Sequence, residues 1–211
     1  MAEHALQAPG ADRKARRPLR AKARAAATGA PHRGLPTEKV QFDCFFVGRL
    51  SGTKGSVWQY TAADVASGFA WAELHASERN PPARHTRELL NRVCRELKAA
   101  GWRLGEVTTD NGSEFRARHF GEAVAGLGAR QRFIRAGRPN SNGCLERLQL
   151  TILEECWRPA FARSLAPSST ALTKDLEEYM RYFNFDRAHS GRLTKAGCPR
   201  ISSSAPARRG P

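Results

Sequence analysis

The chain has 211 residues and carries 35 Lys and Arg against 20 Asp and Glu, a formal charge of +15 at pH 7. That length suits one ordinary domain with tails, and a hydrophobic content of 40% with four Trp and ten Phe suffices for a real core. The charge says nothing about fold, but it favours polyanionic partners through neutralisation of phosphates. No apolar run approaches membrane-spanning length, so no membrane association is expected. The first ten residues are short and mixed, with Lys and Arg following where a secretory signal would have an apolar stretch. Five cysteines, at 44, 94, 144, 156 and 198, are odd in number and far apart with no Cys-x-x-Cys pair. They argue against a disulfide framework or a zinc site and read as reduced residues of a cytoplasmic protein.

Residues 1–36 are rich in Ala, Arg, Pro and Gly without a sustained hydrophobic period, and read as a disordered basic arm. Eight Lys and Arg against three acids before position 39 give this end +5, so the remainder is basic as well. Residues 39–47 form a strand by their Val and Phe content. A Gly-rich turn leads to a second strand over 56–63, and a third over 69–75. After Pro81-Pro82 the spacing of Leu89, Leu90, Val93, Cys94 and Leu97 predicts a helix over 84–100, stopped at Gly101. A short strand over 102–108, a helix over 114–126 and a strand over 130–134 follow. Asn140–Gly143 opens a further helix whose apolar stripe runs through Leu145, Leu148, Ile152, Leu153 and Cys156. A last helix covers 172–185, and 201–211 is a disordered tail. The order β-β-β-α-β-α-β-α-α predicts an α/β fold: a mixed sheet with helices packed on its faces.

Two carboxylates, Asp110 and Glu146, sit at junctions of these elements, and a third, Asp43, lies upstream. Asp43 lies inside the apolar run Val40–Val47, where a carboxylate is costly unless it is paired or bound to a cation. Asp110 follows the short fourth strand in Asp110-Asn111-Gly112, at the edge where ligand sites of α/β sheets collect. Glu146 flanks the helix start, with thirty-five residues separating it from Asp110. In isolation the Asp-Asn-Gly block is a good turn, Glu146 is a helix-start charge favoured by the macrodipole, and Asp43 is a carboxylate satisfied by an arginine. Together they are what a two-metal phosphoryl-transfer site needs. The four tryptophans, at 58, 71, 102 and 157, read as core, and His189 reads as packing or surface.

The blocks Val40–Val47, Thr108–Phe115 and Arg138–Arg147 resemble the catalytic core of insertion-sequence transposases and retroviral-type integrases, the DDE superfamily. The stretch Tyr60–Ala70 resembles that family's second and third strands, and Phe183-Asn184-Phe185-Asp186-Arg187-Ala188-His189 its Tyr-Asn-x-x-Arg-x-His segment. The resemblance covers about residues 38–200 and implies an RNase H-like fold, a five-stranded mixed sheet with helices on both faces. It implies a catalytic core over 37–200, with Asp43, Asp110 and Glu146 as ligands of two Mg²⁺ ions (Mn²⁺ as substitute). Asp64 competes for the first position, but its Asp-Val-Ala-Ser-Gly block matches a non-catalytic strand turn of the family. DNA, as element ends and target, is the implied partner of a homo-oligomer, and the implied activity is strand cleavage and strand transfer. Arg138, Asn142, Arg147 and Arg187 are candidate DNA contacts, each also readable as turn or surface residues.

Relatives of this family place helix-turn-helix modules before the core, whereas about 36 unpatterned residues precede it here. The expectation is therefore a truncated copy, either catalytically intact or a non-catalytic remnant that binds DNA or a full-length transposase. A nuclease of RNA–DNA hybrids would share the fold, but the Asp110 to Glu146 spacing and the Asn-Gly-x-x-Glu-Arg helix start argue against it. The expected localisation is cytoplasmic, at the nucleoid when on DNA.

Overall fold

A computed structural model describes residues 39–50, 53–134, 143–164 and 166–189. The basic arm, the 201–211 tail, Arg138 and Asn142 lie outside these residues. Five strands run β1 (Lys39–Gly48), β2 (Ser56–Asp64), β3 (Ala70–Ser77), β4 (Glu106–Thr109) and β5 (Arg130–Phe133). They form one sheet in the order β3-β2-β1-β4-β5. The first three are antiparallel, and β4 and β5 run parallel to β1. The helices are α1 (Ala83–Ala99), α2 (Ser113–Arg116), α3 (Arg118–Gly126), α4 (Gly143–Ile152), α5 (Arg158–Arg163) and α6 (Ser169–Phe185). This is the mixed sheet with helices on both faces that the element order predicts.

Alternation along β1 and β2 divides the core between the two faces. Val40, Phe42, Tyr60 and Ala62 join the α1 stripe Leu89, Leu90, Val93 and Leu97, together with Phe120 and Val124 of α3. Val57 and Ala63 look the other way, with Ala70 and Ala72 of β3, onto Leu145, Leu148 and Ile152 of α4 and Leu172 and Leu176 of α6. Each α1 leucine is at most 1% exposed, and full burial of such a side chain stabilises by about 1.5–3 kcal/mol.

Apart from shifts of one to three residues at other ends, such as α6 starting at Ser169 and not 172, the elements depart from the sequence reading in three places. The strand expected from Trp102 starts at Glu106, because the Trp102 amide still bonds to Leu97 O and closes the end of α1. The helix expected over 114–126 breaks at Ala117, whose backbone is extended, and this brings Phe115 and Phe120 edge-to-face. Between α4 and α5 the chain makes a π turn (Leu153–Trp157), which adds a residue to the helical repeat. Trp157 is thereby buried, and its indole Nε1 donates to Gln59 Oε1 at 2.8 Å. Trp71 is buried too, whereas Trp58 and Trp102 are only half-buried.

The last turn of α6 and the residues that follow it form a clasp. Asn184 Nδ2 donates to Ala70 O at 2.7 Å and its Oδ1 accepts from Ala70 N at 2.9 Å, so one amide satisfies both backbone groups at the start of edge strand β3. Arg187 donates through Nε and Nη2 to Glu155 Oε2 and Oε1 at 2.9 and 2.7 Å, and His189 Nε2 bonds to Phe183 O at 2.7 Å. Among the described residues, no helix is long and apolar enough to cross a membrane.

Candidate active site

The parallel pairing of β1 with β4 positions the first two carboxylates. Its register runs from Lys39 opposite Glu106 to Phe42 opposite Thr109. Asp43 and Asp110 are the next residue on each chain, at the C-terminal edge of the parallel ladder, where open α/β sheets bind ligands. β4 stops at Thr109, and Asp110 turns back on itself: its Oδ1 accepts from Gly112 N at 2.9 Å. Asn111 Nδ2 donates to Ile134 O at 3.1 Å and ties this turn to the end of β5.

Asp43 faces α4. Its Oδ1 accepts from Cys44 N at 2.8 Å and its Oδ2 from Gln149 Nε2 at 3.1 Å. Burial pushes its carboxyl up to about 6, with the nearby Asp110 carboxylate adding to the rise and Glu114 contributing further, while the two hydrogen bonds oppose it. Glu114, in α2, is 8% exposed and folds back over Gly112, where a Cβ would meet its carboxylate atoms at 2.7–2.8 Å. Burial raises Glu114 as well; Asp110 adds to the rise, and hydrogen bonds from its own amide, Cys44 and Ser113 oppose it. Burial, then Glu114 and Asp43, drive the Cys44 thiol well above its ordinary value. It stays protonated and is no nucleophile.

Glu146 stands exposed in the first turn of α4. Gln149, three residues on, shares its helix face and reaches Asp43, so α4 meets the acidic edge with the face that carries Glu146. Arg147 is exposed beside it. Arg187 is held by Glu155, whose Oε2 also accepts from the Tyr179 hydroxyl at 2.9 Å. Asp64 is fully buried and closes the turn after β2, accepting from Ser67 N and Ser67 Oγ at 2.7 and 2.5 Å.

Two members of the site were not singled out from sequence. Glu114 had a local signal, a carboxylate four residues past Asp110 in the same strand-to-helix junction. Gln149 had none, since its contact with Asp43 spans 106 positions. Clustered carboxylate oxygens, with neutral amides around them, form the donor set that a hard divalent cation takes. The residues therefore fit Mg²⁺ or Mn²⁺, whose charge would relieve the repulsion.

The family model described as integrase core domain matches residues 35–139, which hold β1 to β5, Asp43 and Asp110. The chain contains an integrase core domain. Solved structures agree in fold. One is a chain of a simian T-cell lymphotropic virus intasome in complex with PP2A regulatory subunit B56 gamma, at TM-score 0.63 and 19% identity. The similarity covers 84% of this chain and 57% of that one, so this chain spans little over half the viral chain's length. Another is the catalytic core domain of BIV integrase, at TM-score 0.56 and 15% identity, covering 77% of this chain and 91% of that one. No curated protein matches the sequence. The fold is that of integrase catalytic cores, the RNase H-like sheet expected from the resemblance. Glu146 lies beyond the matched residues, and its assignment comes from the sequence pattern and its place on α4.

Proposed function

We propose that this integrase core domain catalyses metal-dependent DNA strand cleavage and strand transfer, with Asp43, Asp110 and Glu146 as the cation ligands. The observation that carries the reading is the register of β1 and β4, which sets Asp43 and Asp110 side by side just past the end of their parallel ladder, with Asp43 pushed up to about 6. Two like-charged groups in one half-buried place weaken the fold unless something positive joins them. A bound divalent cation supplies charge neutralisation at a phosphoryl centre and lowers the pKa of an attacking hydroxyl.

The side chains have distinct tasks in this reading. Asp43 and Asp110 bind from the sheet and Glu146 from α4. Gln149 holds the Asp43 carboxylate in one orientation, and such outer partners commonly matter about 10–100-fold. The bonds from Asn111 to Ile134 and from Asp110 to Gly112 fix the turn that carries the second ligand. Asp43 must shed its proton before it can bind, so activity falls as pH drops through about 6. The +15 charge attracts the polyanionic substrate, and Arg147, Arg138 and Asn142, adjoining Glu146 in sequence, are proposed DNA contacts. The viral chain similar in fold is part of an intasome; assembly of this chain into a multimer on DNA is proposed by the same likeness.

The test is Mg²⁺- or Mn²⁺-dependent strand transfer or disintegration on a branched DNA, for wild type, Asp110→Asn and Glu146→Gln. Loss on the order of 10³-fold or more in either variant is expected. An inactive wild type that is well folded would instead favour a chain that binds DNA without cutting it.

A further inference from the structure

On the α1 side of the sheet, away from the face on which Asp43 meets α4, two histidines and a glutamate converge. His75 is near the end of β3, His85 in the first turn of α1, and Glu88 one turn later. One ring nitrogen of each histidine and a carboxylate oxygen of Glu88 lie within 4.8 Å of one another. We propose that His75, His85 and Glu88 form a second metal site, for a borderline divalent transition metal of the Zn²⁺ class.

The ligand types suit that class. Two imidazoles and one carboxylate leave a fourth tetrahedral position for water, whereas the oxygen-only acidic site suits hard cations. The outer partners are already in place. Glu73 Oε2 lies 3.2 Å from His75 Nε2; accepting that ring proton leaves Nδ1 as the free lone pair, the carboxylate–histidine arrangement common around zinc. Glu73 is itself held by Arg92 Nη1 at 3.0 Å, Arg92 Nε donates to Glu96 Oε1 at 2.9 Å, and Trp71 Nε1 donates to Glu96 Oε2 at 2.7 Å. His85 Nδ1 is 2.9 Å from Glu88 Oε2, and Arg84 Nε donates to His85 Nε2 at 3.2 Å. Metal on His85 Nδ1 displaces its proton to Nε2, with no net proton released, and the exposed Arg84 side chain swings aside.

The rings are stacked, with centroids 4.0 Å apart and planes 12° from parallel. A shared cation needs one imidazole to turn about χ2, a torsion with a broad well. Tyr60 backs both rings edge-to-face, at 5.3 and 5.5 Å, and its buried hydroxyl has no hydrogen-bond partner among the described residues. The cation would join the end of β3 to the start of α1 across the Pro81-Pro82 connection and so stabilise that corner.

Zn²⁺ titration of the full chain by calorimetry, with saturating Mg²⁺ present to occupy the acidic site, tests this. Wild type and Asp110→Asn should each bind one Zn²⁺ with a rise in Tm. Glu88→Ala, an exposed change that leaves the core untouched, should weaken binding at least ten-fold, and His85→Asn more. Should His85→Asn fail to fold, imidazole ¹⁵N shifts of wild type decide in its place: His75 and His85 should move on adding Zn²⁺. Zinc binding unchanged in folded Glu88→Ala, or histidine shifts that stay still, would overturn the proposal.

Discussion

Two groups of carboxylates in this chain sit in contrasting places. Glu73, Glu106 and Glu155 each sit against arginine: Arg92 at 3.0 Å, Arg130 at 2.6 Å and Arg187 at 2.7 Å. All three have lowered pKa values; at Glu155 the Arg187 bond is the largest cause, and at Glu73 and Glu106 hydrogen bonds and opposite charge outweigh burial. Asp43 and Glu114 are raised, by burial first and by neighbouring carboxylates after it. These three glutamates lie against arginine and help hold the fold together, whereas the carboxylates at the end of the β1–β4 ladder lie against one another. The difference separates groups that stabilise the chain from groups that act for it at a cost.

Substituting Asp43 should split activity from stability most sharply. Asp43→Asn should lower strand transfer on the order of 10³-fold or more, yet stabilise the protein. In the folded chain Asp43 keeps its proton from roughly pH 4 to 6, where the unfolded chain, with the ordinary value of 3.8, has released it. Stability therefore falls as pH rises through that window and stays lower above it. A rise of that size corresponds to at most about 3 kcal/mol. Denaturant melts at pH 8 and at pH 3.5 should show the gain in Asp43→Asn at the first and none at the second.

Asn184→Ala is the counterpart on the structural side. It leaves the Ala70 N–H and C=O without their partner at the sheet edge, a loss of about 2–4 kcal/mol in stability. Any activity that survives in the folded fraction should be near normal, since no carboxylate of the site moves. A smaller effect, about ten-fold in rate with little change in melting, is expected for Gln149→Ala, which frees Asp43 Oδ2. Arg187→Ala should cost about 1 kcal/mol, because its partner Glu155 is partly exposed. A drop in DNA affinity at unchanged stability would instead give Arg187 a phosphate to bind.

Much of this was legible in the sequence because it depended on short-range pattern. Strand alternation marks β1 to β3, the Leu and Val spacing marks α1, and Asp43 stands out as a charge among phenylalanines. The break at Ala117 and the π turn at 153–157 were not legible, since each serves packing, of Phe115 on Phe120 and of Trp157 on Gln59. The Phe183–His189 segment stands out by its pattern, but its physical content, a clasp on β3 and the π turn, required the partners at Ala70 and Glu155. The histidine pair is hidden for a similar reason: nine residues, Pro81-Pro82 among them, separate side chains that stack in space. Cysteine spacing argued against a zinc site, and it had no bearing on one made from histidines.

The central claim is that Asp43, Asp110 and Glu146 hold a divalent cation, and paramagnetic broadening by substoichiometric Mn²⁺ tests it most directly. In amide spectra of the full chain with His85→Asn to silence the other corner, signals of Cys44, Gly112 and Glu146 should disappear first, and Asp110→Asn should restore them. Signals at these three positions that stay sharp while others broaden would contradict the account.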